Sequence, residues 1–322
     1  MSGDGVNSID PRLAHRRVTV RVPATTANLG PGFDTLGLAL AVYDELEVSV
    51  RERPGASVEV HGVGEGEVPT DDNNLVVRAI ARTFEAQGLA VPGLDLVAHN
   101  VIPHGRGMGS SAAAIVAGIM AARGLLEGIV DISPDGLLAI AAELEGHPDN
   151  VAPALFGGLT IAWVTPEGPK HKRLTVHRGV SLLVAIPEST TMSTALARSL
   201  QPVSVPHEDA IFNLSRSALL IAALIQSPEL VFAATEDKLH QSYRAAAMPE
   251  THALVTMLRE HSLAAVVSGA GPSVLVLCSD PAQRLVAAEL IEQHSTTPWV
   301  SHMLAVDFKG ATVVTHPPEA AA

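Results

Sequence analysis

Three glycines at alternate positions, Gly105, Gly107 and Gly109, run into Ser110 and Ser111 and then into the small residues Ala112, Ala113 and Ala114. Glycines spaced this way let a backbone adopt left-handed angles. They turn amide N–H groups toward one side and approach a ligand with no Cβ in the way. The serines fall where a helix would begin. Their hydroxyls could cap it or bind a phosphate or a hydrated Mg2+, at a terminus whose unpaired amides and dipole attract anions. Further along, Glu143-Leu-Glu145-Gly-His147-Pro-Asp149-Asn150 concentrates oxygen groups of the kind Mg2+ accepts. A polar segment with backbone-permissive residues, Pro23 to Asp34, holds Asn28, Gly30, Gly32 and Asp34. A second glycine turn, Ser268-Gly269-Ala270-Gly271-Pro272-Ser273, reads equally as a hairpin or as a ligand contact.

Other chemistries fit less well. A dinucleotide fingerprint wants a third glycine at position 110, which is serine, and a Walker loop needs a lysine where Lys170, Lys172, Lys238 and Lys309 cannot supply one. The histidines lack zinc-site spacing, no Ser, His and Asp set stands in a nucleophile elbow, and Cys278 in an apolar strand reads as packing.

These groups need elements to hold them. Alternation predicts strands at Val18–Val22 and Leu38–Val50, and helical spacing after Asp72-Asn73-Asn74 predicts a helix over Leu75–Gln87. A strand at Leu94–Ile102 feeds the glycine loop. After the loop come a helix to about Leu126, a second helix opened by Ser133-Pro134, and a strand at Leu159–Val164. Past the Pro/Gly and basic cluster at 166–173, strands are predicted at Ser181–Ile186, Ala264–Ser268, Val274–Cys278, Met303–Phe308 and Ala311–Thr315. Helices are predicted at Asp209–Ile225, Met248–Glu260 and Ala282–Gln293. The interleaving implies an α+β fold in two parts, with an N-terminal tail over 1–17, domains over 18–170 and 171–312, and a closing tail over 313–322.

The chain of 322 residues and 33.5 kDa is long enough for two cores. A net charge of −13 and only ten aromatic residues argue against nucleic acid as a partner. The apolar stretch Ala112–Ala122 is 11 residues, well short of the ~20 that span a bilayer, so no membrane partner is expected. One cysteine and a start without an apolar leader core place the chain in a reducing cytoplasm.

On these motifs the chain resembles the GHMP kinases. Pro103 to Ala113 is similar to the family's phosphate loop, with Met108 where leucine is usual and volume is conserved. Ser268 to Ser273 resembles its third motif. Pro23-Ala-Thr-Thr-Ala-Asn28-Leu-Gly-Pro-Gly-Phe-Asp34 and Glu145 to Gly158 resemble the branch that acts on homoserine. The resemblance spans about residues 18–312. It implies an N-terminal domain like the second domain of ribosomal protein S5, a ferredoxin-like C-terminal domain, and an active site between them. It also implies transfer of phosphate from Mg·ATP to the side-chain hydroxyl of L-homoserine, a step toward threonine; apart from the resemblance, a homodimer is the expected assembly because two-fold dimers are the commonest oligomers.

The same resemblance distributes the roles. Asn28 and Asp34 would hold the substrate ammonium, Arg198 and Arg244 its carboxylate, and Asn150 the reacting hydroxyl. Ser110 or Ser111 with Glu145 would hold Mg2+, Glu143 being the alternative; Asn150, Glu145 and Ser111 form the catalytic set. The nucleotide would meet Asn74, Pro103, Gly105, Arg106, Gly107, Met108, Gly109, Ser110, Ser111, Gly269 and Gly271. His147 and Asp149 would shape their turn, with a base role for Asp149 left open. Another small-molecule kinase of the family, or an inactive ligand-sensing relative, is the alternative reading.

Overall fold

A computed structural model describes residues 9–317. Eleven strands make two sheets: β1 (Arg17–Ala27), β2 (Leu36–Arg51), β3 (Ala56–Gly62), β4 (Gly93–Asn100), β5 (Leu159–Thr165), β6 (Gly168–Leu174), β7 (Ser181–Pro187), β8 (Ala264–Val267), β9 (Val274–Cys278), β10 (Trp299–Leu304) and β11 (Thr312–His316). The helices are α1 (Leu75–Ala86), α2 (Ser110–Leu125), α3 (Pro134–Glu145), α4 (Pro148–Phe156), α5 (Thr194–Ser199), α6 (His207–Ile225), α7 (Val231–Ala234), α8 (Gln241–Arg244), α9 (Pro249–Glu260) and α10 (Ala282–His294).

The first sheet runs β11-β1-β2-β4-β3, and β5 pairs with β2 and carries β6 on its far edge. Only the β3–β4 pair is parallel, as the intervening helix α1 requires. The register of β1 on β2 shifts between Pro23 and Ala24. Past that shift the sheet carries Thr25 and Thr26, both fully buried, toward the glycine loop. Helices α2 and α4 pack on this sheet, α3 against them and β6, and α1 on the outer side of α2, around Ile80, Phe84, Ile115 and Ile119. Glycine at 118 and alanines along α2 allow close approach, since a Cβ on Gly118 would meet the Val76 carbonyl and the Ala79 side chain.

The second sheet runs β10-β7-β9-β8, all antiparallel. Its two faces alternate as strand periodicity demands. Leu183, Ala185, Val274 and Val276 face α9 and α10 through Leu254, Leu258, Ala287 and Ile291. Leu182, Val184, Leu275 and Leu277 turn the other way and join the core that includes Leu220 and Leu224 of α6. No described helix is long and apolar enough to cross a membrane.

Several boundaries differ from the sequence expectation. Residue 170 lies mid-strand in β6, because a Lys- and Arg-rich segment that reads as a linker is also what an exposed edge strand tolerates. Residues 312–316 are strand β11, paired to β1, within one residue of the strand expected over Ala311–Thr315, so the closing tail begins after this strand and not at 313. In the expected N-terminal tail, Pro11–Leu13 form a helical turn with Leu13 buried. The parts of both tails at 1–8 and 318–322 lie outside the described residues.

Candidate active site

The strand β4 delivers the chain to the loop at 101–109, whose glycines 105, 107 and 109 all adopt positive φ, between 62° and 70°. A Cβ on Gly107 would run into the Ser268 carbonyl, and one on Gly109 into the Thr25 hydroxyl, so only glycine permits this close approach. Gly109 caps α2 without a side-chain hydrogen bond, which leaves the first amides of that helix available to an anion.

The loop is fastened on three sides. Thr25 N donates to the Met108 carbonyl at 3.1 Å, and Met108 itself is buried. Met192 N donates to the Gly105 carbonyl at 3.0 Å. Ser268 Oγ lies 2.6 Å from the Gly107 carbonyl and 2.8 Å from Thr26 Oγ1, which ties the second glycine turn to the first. Gly269 and Gly271 are therefore brought against the loop, Gly271 with its amide and carbonyl close to Gly107.

At the start of α2, Ser111 Oγ donates to Glu145 Oε2 at 2.6 Å. Partial burial pushes the Glu145 carboxyl above its ordinary range, and the Ser111 hydrogen bond works against that rise. Glu143 faces elsewhere, held by Arg82 of α1 through bonds of 2.9 and 2.8 Å. Among the described residues no three His, Cys, Asp or Glu side chains converge to hold a metal. Ser111 and Glu145 offer two hard oxygen ligands, which fits an ion such as Mg2+ that completes its shell with water and phosphate oxygens.

A cavity of about 300 Å3 opens beside these serines. Apolar side chains from three elements, Val58, Val60, Leu75, Ala114 and Ala117, form much of its wall, with Ser110 and Ser111 at one end. Asn74 lines it too, but its side chain caps α1 by accepting from Val76 N at 2.9 Å and donates to the Pro69 carbonyl at 2.7 Å. A wider hollow of about 940 Å3 lies at the other end of α2 and contains none of the expected site residues.

Beside Gly109, Asn150 in the first turn of α4 accepts from Thr25 Oγ1 at 2.9 Å. Next to it, His147 Nδ1 and Asp149 Oδ1 approach to 2.5 Å. That bond, with the Asp149 charge, raises the His147 imidazole above its ordinary range despite burial. The loop after β1 then supplies Asn28 and Asp34. Asn28 is buried, donates to the Gly269 carbonyl at 2.8 Å and accepts from Asp34 N at 3.0 Å, so its amide braces the loop.

Asp34 is bound in a two-pronged ion pair by Arg198 of α5, at 2.9 and 2.8 Å. Arg244 is buried behind this pair, its guanidinium 5.2 Å from the Phe33 ring and 3.3 Å from the Gly269 carbonyl; Gln201, with its amide oriented to suit both neighbours, accepts from Arg244 Nε at 2.9 Å. Phe33 stacks on His240, whose Nε2 lies 2.6 Å from the Gly30 carbonyl.

At the head of α2, then, Ser111 meets Glu145 and Gly109 lies against Thr25 and Asn150, while in the loop after β1 Asp34 pairs with Arg198 and Arg244 reaches the Gly269 carbonyl. Arg106 is turned away, donating to the carbonyls of Pro187 and Glu188 at the end of β7. Sequence reasoning missed the cavity wall of β3, although Ser57-Val58-Glu59-Val60 alternates as a strand should. It also missed Gln201 and His240, for which neither motif nor spacing offered a signal.

The chain is similar to known proteins along most of its length. The family model described as "GHMP kinases N terminal domain" matches residues 74–158, and "GHMP kinases C terminal" matches residues 219–295. A protein of Leifsonia xyli subsp. xyli named homoserine kinase is 74% identical over 301 residues, 94% of this chain and 93% of that one. A homoserine kinase of Streptomyces coelicolor is 45% identical, over 94% of this chain and 96% of that one. Among solved structures, a homoserine kinase from Cytophaga hutchinsonii superposes with a TM-score of 0.80 at 26% identity, over 92% of this chain and 97% of that chain. A putative homoserine kinase from Listeria monocytogenes superposes at 0.73 and 31%, over 93% and 100%.

Proposed function

The chain belongs to the homoserine kinases of the GHMP family, and from that premise we propose how its cleft converts L-homoserine and ATP into O-phospho-L-homoserine and ADP. Membership in a kinase family implies ATP use. The apolar cavity by β3, α1 and α2 suits a purine ring, and the uncapped start of α2 with the glycine loop suits the phosphates. Pro103 to Ser111, with Gly269 and Gly271 behind them, form the cradle. Asn74 shapes the cavity by holding the start of α1.

The observation that carries the proposal is the Ser111–Glu145 hydrogen bond at the head of that helix. These two side chains would hold Mg2+, which when bound neutralises charge on the phosphates. On the other side, Asp34 takes the substrate ammonium and Arg198 and Arg244 take its carboxylate, a planar group that suits guanidinium. Asn28 keeps Asp34 in place. Thr25 occupies Asn150 Oδ1, which leaves the Asn150 amide hydrogens for the reacting hydroxyl.

The hydroxyl oxygen attacks the terminal phosphorus in line and the bond to ADP breaks. In a loose transition state the hydroxyl proton leaves late, to a phosphoryl oxygen, so positioning and charge neutralisation supply most of the rate. Asp149 is committed to His147 and is not needed as a base. The buried Cys278, whose thiol burial pushes up to about 11, is compatible with a reducing cytoplasm.

An ADP-release assay with Mg·ATP against L-homoserine, L-serine, L-threonine, mevalonate, galactose and shikimate tests the proposal. Selective turnover of L-homoserine, with the phosphorylated product identified by mass, is the expected result. Preference for another alcohol would overturn the roles of Asp34, Arg198 and Arg244. ATP binding without turnover would leave a sensor.

A further inference from the structure

The two residues that would hold opposite ends of an amino acid hold each other. Asp34 stands on the loop after β1, at a φ of 57° that non-glycine residues seldom adopt, and Arg198 stands on α5 from the other half of the molecule. Two parallel hydrogen bonds join them, and their side chains are 37% and 39% exposed, within reach of a solute. A carboxylate facing a guanidinium repeats the charges of an amino acid's own carboxylate and ammonium. We propose that this ion pair is a specificity latch, closed between turnovers and opened only by a ligand that carries both an ammonium and a carboxylate.

The inference rests on the amino-acid reading of this site and adds a selection rule to it. When L-homoserine enters, its ammonium replaces Arg198 at Asp34 and its carboxylate replaces Asp34 at Arg198, so no charge is left without a partner. A ligand with only the ammonium takes Asp34 and strands Arg198 beside Arg244, whose guanidinium already feels the like charge of Arg198. A ligand with only the carboxylate takes Arg198 and strands Asp34. Solvent reaches the pair, so the penalty for a half-charged ligand is several-fold rather than absolute.

This rule has an unusual consequence, which calorimetric titration on the full chain can read with two probes. 3-Aminopropan-1-ol is the substrate without its carboxylate, and 4-hydroxybutanoate is the substrate without its ammonium. The latch predicts that Arg198→Gln, which frees Asp34, binds 3-aminopropan-1-ol about fivefold more tightly than the unaltered chain does. Asp34→Asn, which frees Arg198, gains similarly for 4-hydroxybutanoate. Both variants bind L-homoserine more weakly than the unaltered chain.

Arg244→Gln separates the latch from net charge. Its guanidinium is not hydrogen-bonded to Asp34 among the described residues, so an equal gain for 3-aminopropan-1-ol in this variant would assign the effect to charge alone and overturn the latch. Unchanged or weaker binding of the half-charged probes to Arg198→Gln and Asp34→Asn would also overturn it, while leaving turnover of L-homoserine by the unaltered chain intact. Failure of the unaltered chain to bind L-homoserine would sink the site reading and the latch with it. If one variant does not fold, the other carries the same test with its own probe.

Discussion

Glu143 and Glu145 stand two positions apart on α3, about 200° around the helix, so they cannot both face the phosphate loop. Arg82 claims the carboxylate of Glu143, and Ser111 donates to that of Glu145. Glu145→Gln should therefore lower kcat about a hundredfold and raise the Mg2+ concentration needed for half-maximal rate. Glu143→Gln should leave kcat within about twofold, since a half-exposed surface pair contributes little. Steady-state rates across a Mg2+ titration check both, and the reverse ranking would move the metal ligand to Glu143. The sequence left the choice open because helical geometry says that one glutamate faces away without saying which. The position of Arg82 on a neighbouring helix shows which of the two is turned from Ser111. Arg106 shows the opposite limit. A positive charge inside a phosphate loop invites a phosphate role, yet it is spent on two carbonyls at the end of a strand about 80 residues later.

At the scale of elements, the glycine loop works only if the backbone can approach β1 and the second glycine turn. Gly109→Ala should impair both folding and nucleotide binding, because its φ of 67° is strained for alanine and its new methyl would meet the Thr25 hydroxyl. We expect a loss of roughly 2–3 kcal/mol in unfolding free energy and a large rise in KM for ATP. Gly66→Ala is the matched control: φ is 74° there, with open space around the added carbon, so it should cost only about 1 kcal/mol and leave KM for ATP unchanged. Urea denaturation and ATP titration of the two variants read the difference. An equal loss in both would mean that left-handed strain alone, not close approach, explains the glycine. The loop and its flanking strand and helix were legible because β4 alternates and α2 opens on serines and alanines. Helix α4 was not, since Pro148 and Pro153 read as breakers; here Pro148 sits in the first turn, where its missing N–H costs nothing. The edge strand at 299–304 is expected from the sequence at 303–308 instead, because none of its residues is buried, three being half-buried and three exposed, and they show no apolar alternation.

At the scale of the whole molecule, the chain does not divide cleanly into a first and a second half. After β10 it returns to the first sheet: Ala41 N donates to the Ala305 carbonyl, Asp307 accepts from Tyr43 and from the amides of Lys309 and Gly310, and Ala311 N donates to the Ala154 carbonyl. Strand β11 then covers the edge of β1 over five paired residues, with Val313 packed at Gly124 and Val18. None of these residues touches the proposed site, yet β1 is the strand that carries Thr25, Thr26 and the loop of Asn28 and Asp34. A chain ending at Gly310 should consequently unfold at lower urea, by about 2–4 kcal/mol, from the lost ladder and the exposed valine. Val313→Ala should reproduce about 1 kcal/mol of that, since this side chain is only partly buried. Under conditions where both remain folded, KM for ATP and for L-homoserine should stay within about twofold, because the register shift at Pro23 and Ala24 separates the edge that β11 protects from the end of β1 that serves the cleft. An unchanged denaturation midpoint would show that β1 holds its place through β2 alone. A raised KM at normal stability would show that the register shift transmits disorder along β1 instead of absorbing it.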